Sequence, residues 1–166
     1  MALTFAERIG AVDWTAFHTA YGRAGDVSNQ LLRLASPDKV TALKASHELW
    51  CGLCHQHAFV SSASLPALPF LLEVLDRSDE ATTVEILDIL VGFALCTRPD
   101  QDESLPGWAG QMRHRLAEEL PRFRQLATHQ NAEISAFCER LLEGYDDVCR
   151  LECHDPPSAI AEFPAT

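Results

Sequence analysis

The sequence predicts an all-α protein, and two observations support that prediction. Apolar residues recur at the three- and four-residue spacing of amphipathic helices through most of the chain, whereas the alternation typical of strands is nearly absent. Residues that start helices also precede the apolar runs, as at Asp13, at Ser36-Pro37-Asp38 and at Asn131. With 166 residues, the chain is long enough to bury one substantial core.

Five long helices make up most of the predicted structure. They are expected over residues 38–54, 65–76, 79–96, 107–126 and 131–143. The helix over 79–96 is apolar almost all round, which indicates burial on both sides and makes it the predicted centre of the fold. Pro121 is expected to kink the helix over 107–126. Pro69 is expected in the first turn of the helix over 65–76, where its missing N–H is tolerated.

Shorter helices are predicted at both ends of this series. One is expected after the capping Asp13, a second comes directly after that first helix, and a last one is expected over 145–153. The faces of the first two contain, in order, Trp14, Phe17, His18 and Tyr21, then Val27, Leu31 and Leu34.

The long helices pair with a period of about 40 residues, which is typical of HEAT-type helical repeats. The expected pairs are 38–54 with 65–76, 79–96 with 107–126, and 131–143 with the segment that follows. One pair cannot bury its apolar faces alone, so stacked pairs share a core. We therefore predict a right-handed α-solenoid of HEAT-like antiparallel helix pairs, in one domain over 1–155 with a weakly ordered tail over 156–166. A mixed helical bundle is the alternative.

The net charge of the chain limits the classes of partner that we expect it to bind. Its 24 acidic and 13 basic residues give a formal net charge of −11. Phosphate backbones and anionic membranes both require a basic surface, so neither nucleic acid nor a membrane is expected as a partner. An acidic surface instead favours a basic protein and speeds its encounter. The start of the chain lacks the features of a secretion signal, so we expect a cytoplasmic protein with reduced cysteines.

One stretch of the chain resembles a bacterial group of small HEAT-repeat-like proteins. The resemblance rests on Leu49-Trp50, His55-Gln56 and Leu68-Pro69-Phe70-Leu71, and it covers roughly residues 13 to 95. The group has Gly where this chain has His57, and that Gly is expected to supply a positive φ. The resemblance implies a protein-binding solenoid. Some small bacterial proteins of this kind resemble immunity proteins encoded beside secreted toxins.

The cysteines of the chain suggest two kinds of chemistry. Cys51, Cys54 and His55 form a Cys-x-x-Cys-His string, but haem attachment normally requires export and a thioredoxin-like site requires a βαβ unit. A zinc site would need this cluster to meet the second one at Cys149, Cys153 and His154. We favour small buried cysteines that pack between helices, and we expect no metal and no cofactor.

The remaining polar residues do not form a recognisable catalytic set. The chain contains no Gly-x-Ser-x-Gly elbow and no Gly-rich phosphate loop. His55 and Gln56 follow a predicted helix, where their side chains are expected to bond its last free carbonyls. Trp50 lies on the same helix, where a buried ring would stabilise the fold and an exposed ring would be a candidate binding residue.

We therefore expect a non-enzymatic, protein-binding helical-repeat module. Its partner is expected to be basic, and a toxin with a basic active site would fit. The predicted partner-binding residues are Asp100, Asp102 and Glu103 on an acidic loop, together with His55, Gln56 and His57. The alternatives are a metal- or thiol-dependent enzyme that uses Cys51, Cys54 and His55, or a structural subunit of a larger assembly.

Overall fold

The computed structural model describes residues 2–98 and 106–145. This part of the chain is mostly helical, as predicted, with one two-stranded ladder in addition. The helices are α1 (Phe5–Gly10), α2 (Val27–Leu34), α3 (Lys39–Leu53), α4 (Ser64–Leu75), α5 (Glu80–Cys96), α6 (Gly107–Glu118), α7 (Leu120–Leu126) and α8 (Ala132–Glu143). The predicted acidic-loop residues Asp100, Asp102 and Glu103, most of the helix predicted over 145–153 and the predicted tail lie outside the described residues.

The helices pack in two rows. One row consists of α3, α5 and α8, with α5 in the middle, and the other of α2, α4, α6 and α7. Across the rows, α2 packs on α3, α4 on α5 and α7 on α8. The principal neighbours of α3 are thus α2 and α5. The helix over 38–54 was predicted to pair with the helix over 65–76. In the structure, α3 pairs with α2 instead, and α2 provides the apolar surface that was predicted to come from α4.

Helix α5 lies at the centre of the core, as its apolar composition predicts. It contacts α3, α4, α6 and α8, and residues around most of its circumference are buried. Leu87, Leu90 and Phe93 have no exposed surface. Among the described residues, no helix combines the length and apolar character needed to span a membrane.

Side-chain caps fix where the helices of the α5 row begin. The carboxylates of Asp38 and Asp79 accept from the N–H groups of Thr41 and Thr82 at 3.0 and 2.8 Å. Asn131 caps α8 in the same way, as predicted. Ser36, which the sequence indicated as the N-cap residue, does not cap α3: its Oγ accepts from Asp38 N–H, and Asp38 is the cap.

The helix predicted after Asp13 is largely wrong. Asp13 does cap a helical turn, but that turn is the single 3₁₀ turn Trp14–Ala16. The chain then forms β1 (His18–Thr19), which pairs antiparallel with β2 (Gly22–Arg23). Tertiary hydrogen bonds override the helical spacing here, since His18 bonds to Ser62 Oγ through its N–H and to Ala63 N–H through its carbonyl.

The two prolines behave differently from one another. The predicted kink at Pro121 is confirmed, because α6 ends at Glu118 and α7 begins at Leu120 with Pro121 in its first turn. The prediction for Pro69 is wrong, because α4 begins at Ser64 and Pro69 lies inside the helix beyond its first turn. Its ring is exposed to solvent, where a helix tolerates it more easily.

Candidate functional site: the corner between α3 and α4

The corner after α3 has a left-handed backbone. His55, Gln56 and His57 have φ angles of 36°, 56° and 63°, and the turn closes with a hydrogen bond from Ala58 N–H to the His55 carbonyl at 3.0 Å. Residues other than glycine adopt this region at a cost of about 1–2 kcal/mol each. A positive φ is therefore present at position 57, where the group that the sequence resembles has Gly and this chain has His.

Contacts with α5 stabilise this strained corner. His57 Nε2 lies 2.9 Å from the Asp88 carbonyl oxygen and 3.1 Å from Asp88 Oδ1. The Cys96 thiol donates to the His57 carbonyl at 3.4 Å. Since the His57 ring points at α5, it fixes the corner rather than facing a partner.

The last carbonyls of α3 are bonded by serines beyond the corner. Ser61 Oγ donates to the Gly52 and Leu53 carbonyls, and Ser64 Oγ also donates to the Leu53 carbonyl. The side chains of His55 and Gln56 were expected to bond the last free carbonyls of α3. This prediction is wrong for the carbonyls of Gly52 and Leu53. The left-handed turn carries the histidine and glutamine side chains away from the helix end, and the serines reach it instead.

Gly92 allows the corner to pack this closely on α5. A Cβ atom at position 92 would lie 2.7 Å from His57 Cδ2 and 2.8 Å from Cys54 Sγ. Both distances are shorter than real Cβ contacts, so only glycine fits without a shift. Gly92 was not predicted to belong to the site. Its one signal is a glycine inside an otherwise apolar helix, which is typical of close packing.

The thiol of Cys54 is buried and hydrogen-bonded within the protein. It has no exposed surface, and it donates to the Trp50 carbonyl at 3.3 Å. Burial is the main reason that the pKa of Cys54 is raised to about 12. This thiol therefore stays protonated near neutral pH, which is the opposite of an activated nucleophile.

Cys51, another predicted metal ligand, lies beside a histidine that was not predicted as a ligand. Cys51 Sγ lies 3.7 Å from His47 Nε2, one turn earlier on α3. In the part of the chain that the structure describes, no three His, Cys, Asp or Glu side chains are grouped closely enough to hold a metal ion. The second predicted cluster, at Cys149, Cys153 and His154, lies outside that part.

An aromatic surface surrounds the outer side of the corner. The His55 ring lies 5.2 Å from the Phe59 ring and 6.0 Å from the Tyr21 ring, centroid to centroid. Tyr21 is 70% exposed and Phe59 is 45% exposed, and Gln56 is exposed as well. We call Tyr21, His55, Gln56 and Phe59 the corner patch. His55 Nδ1 is buried and has no hydrogen-bond partner among the described residues.

Trp50 connects the corner to the outer face of α3. Its ring stacks on His47 at 5.8 Å and meets the edge of His57 at 6.1 Å. The side chain is half-buried, which lies between the buried and exposed alternatives that the sequence left open. The indole Nε1 has no hydrogen-bond acceptor among the described residues.

Glu85 on α5 lines a surface groove together with Leu43 of α3 and Glu133 of α8. Burial, followed by the charge of Asp88, raises the pKa of Glu85. Glu133 also raises it, whereas His47 on α3 lowers it.

The structure therefore places the predicted residues of the corner in different roles. His57 packs inward, Gln56 projects outward and His55 lies between two exposed rings, so only two of the three belong to an accessible surface. Tyr21, Phe59 and Gly92 complete the site and were not predicted. Comparison with known protein families, curated proteins and solved structures finds no significant match to this chain. The resemblance to HEAT-repeat-like proteins therefore stays a hypothesis.

Proposed function

We propose that this protein is a helical-repeat module that binds another protein through the corner patch. The observation that carries this proposal is the left-handed turn over 55–57, which exposes Gln56 and places His55 beside the exposed rings of Tyr21 and Phe59. Backbone strain of this kind persists only where surrounding contacts impose it, and it is concentrated at functional sites. Exposed aromatic groups are also the residues that contribute most to protein interfaces.

The packing of the helices supports a short HEAT-like solenoid. Each of the pairs α2–α3, α4–α5 and α7–α8 joins the two rows, and successive pairs stack side by side. Such stacking leaves the outer face of one row available to a partner. The right-handed superhelix of HEAT repeats is the arrangement we propose for these pairs.

For the partner, we favour a basic protein, and within that class a bacterial toxin whose active site this chain masks. The net charge of −11 supports a basic partner, because complementary charge speeds association and selects against acidic proteins. An immunity protein that covers a basic catalytic cleft would be attracted to that cleft by its own negative charge. Asp100, Asp102 and Glu103 are the residues that we propose as a second contact for such a partner.

The test is complex formation with the product of the adjacent reading frame. We expect a stable complex by size-exclusion chromatography and protection of cells from that product. Replacing Tyr21 and Phe59 with Ser should weaken the complex by about 2 kcal/mol or more. The matched control replaces Leu3 and Leu32, which are 59% and 42% exposed elsewhere, and should leave affinity unchanged. Absence of both complex and protection would refute the immunity function.

The acidic loop is tested separately. Changing Asp100, Asp102 and Glu103 together to Ala should weaken a charge-driven complex and flatten the dependence of its affinity on salt. Affinity that is unchanged at low salt would remove this loop from the interface and leave the corner patch as the proposed site.

A further inference from the structure

The structure divides the predicted metal ligands near the corner into two kinds. Cys54 and His57 are already bonded within the protein, the first to a carbonyl of α3 and the second to α5. Cys51 is half-buried in the last turn of α3, and its Sγ atom lies 3.7 Å from Nε2 of His47, which is exposed one turn earlier. The His47–Cys51 pair therefore offers two accessible donor atoms of the kind that zinc binds.

The separation of these two atoms fits two corners of a zinc tetrahedron. Zinc binds cysteine sulfur at about 2.3 Å and histidine nitrogen at about 2.0–2.1 Å, so at a tetrahedral angle the two donors lie about 3.5–3.6 Å apart. The His47 ring also stacks on Trp50 at 5.8 Å, which restricts its orientation. The pair is thus positioned to supply two ligands, and a structural zinc site needs two more.

The last turn of α5 contacts both the corner after α3 and the end of α8. The Cys96 thiol donates to the His57 carbonyl at 3.4 Å. Arg113 donates to the carbonyls of Ala94 and Gly144 at 3.5 and 2.6 Å, and so connects α5 to the end of α8. The C-terminal ends of α3, α5 and α8 therefore lie at the same end of their row.

The second cluster of predicted ligands follows this end directly along the chain. Cys149 and Cys153 are the fourth and eighth residues after Tyr145, where the described residues end. Adjacent helix axes lie about 8–10 Å apart, so α3 is about 16–20 Å from α8. An extended chain covers about 3.3–3.6 Å per residue, which gives a reach of about 13–14 Å to Cys149 and about 26–29 Å to Cys153. With the side chains of the ligands added, the segment is long enough to reach the pair on α3.

We propose that one zinc ion joins the His47–Cys51 pair to the C-terminal segment, with Cys149 and Cys153 as its remaining ligands. These two cysteines are four positions apart, as His47 and Cys51 are, so each segment supplies two ligands at the same spacing. Zinc would bond to Nε2 of His47 and to three thiolate sulfurs, and the three thiol protons would pass to the solvent. The accessibility of Cys51 is the reason to depart from the sequence-based expectation that its thiol only fills space between helices.

Ligands from the same chain fit this site better than ligands from a second copy. The net charge of −11 opposes the close approach of two copies. A segment tethered to the same domain is also present at a high effective concentration. We therefore assign one ion to one chain.

The experiment titrates the full, reduced and metal-free chain with Co²⁺, which is then displaced with Zn²⁺. We expect one ion per chain by native mass spectrometry, a monomer by light scattering, and the absorption bands of a tetrahedral cobalt–thiolate site. H47A, C51S and C149S/C153S should each weaken cobalt binding by at least about tenfold, because each removes a direct ligand. The matched controls H114A and C96S change the same residue types outside the proposed set, and they should alter affinity by less than about twofold.

Alkylation identifies the thiols that the ion protects. Zinc should slow the reaction of Cys51, Cys149 and Cys153 with iodoacetamide, and mass spectrometry of peptides reports each thiol separately. Melting temperatures of the metal-free variants should match that of the metal-free parent, because His47 and Cys51 are not part of the buried core. Loss of binding in a folded variant is then a loss of ligands.

Four outcomes would overturn the inference. Cobalt affinity that is unchanged in H47A or C51S would remove the pair on α3 from the site. Unchanged affinity in C149S/C153S would exclude the C-terminal segment, and one ion per two chains would assign the remaining ligands to a second copy. Absence of stoichiometric binding would leave the pair as a hydrogen bond between two side chains. The inference is independent of the proposed function, which is judged by complex formation and protection with the adjacent gene product.

Discussion

The α-carbon of Gly92 lies against the side chains of Cys54 and His57, and this contact has a measurable consequence. Gly92→Ala should destabilise the protein by about 1–3 kcal/mol, since the added methyl group overlaps both side chains. Urea unfolding measures the change. Gly110→Ala on α6 is the control, because nothing lies within 4 Å of its added Cβ, and it should gain about 0.5–1 kcal/mol. Equal effects of the two substitutions would contradict the packing described for the corner.

The strain at Gln56 gives a second prediction at the residue scale. Gln56→Gly should stabilise the protein by about 0.5–1 kcal/mol, because relief of a φ of 56° outweighs the added freedom of the unfolded chain. Gln56→Ala removes the same exposed side chain but keeps the Cβ atom, so it should have little effect on thermal unfolding. If the alanine variant is stabilised as much as the glycine variant, the backbone of the corner is not strained.

The environment of Cys54 predicts low reactivity. Because burial raises the pKa of this thiol to about 12, Cys54 should resist iodoacetamide at pH 8 in the folded protein and react once the protein is unfolded. Mass spectrometry of peptides reports each cysteine separately, and half-buried Cys51 provides the internal comparison. Rapid labelling of Cys54 in the native state would restore the thiol-enzyme alternative.

At the scale of elements, the caps of α3 and α5 link stability to pH. The Thr41 hydroxyl and N–H lower the pKa of Asp38, and the Thr82 N–H and hydroxyl lower that of Asp79. In the folded protein, the pKa of each of these carboxyls lies below its ordinary value of 3.8. The ionised carboxylate therefore stabilises the fold, and this stabilisation is complete above about pH 3.8. This stabilisation is lost as the pH falls through the folded pKa.

The corresponding measurement compares the protein with its D38N/D79N variant. Asparagine keeps the capping geometry but does not titrate, so the variant should lose less stability between pH 5 and pH 2. Urea midpoints across this range give the two slopes. Parallel curves would mean that other carboxylates account for the acid sensitivity.

Elements with strong local signals were predictable from sequence, whereas those fixed by distant partners were not. Helix α5 and the break at Pro121 follow from apolar composition and from a missing N–H, which are local properties. The extended segment at His18 depends on Ser62 and Ala63, more than 40 positions away, and its helical spacing was therefore misleading. The His-Gln-His corner contains no glycine, so nothing local predicted three left-handed residues.

At the scale of the whole molecule, the central position of α5 predicts cooperative unfolding. Because α5 contacts α3, α4, α6 and α8, removal of a fully buried ring should weaken both rows together. Phe93→Ala should cost about 3–5 kcal/mol. Circular dichroism and tryptophan fluorescence should report one coincident transition for the variant. Separate transitions for the two signals would show that the helix pairs unfold independently.

The contact between Gly92 and the corner also constrains how such a chain can diverge. The space that a side chain at position 92 would need is already occupied by Cys54 and His57. Substitutions at these positions are therefore expected to be coupled in evolution, with alanine at 92 accompanied by a smaller residue at 54 or 57. Descendants that keep the corner would vary these positions jointly, and a change at 92 alone would be selected against.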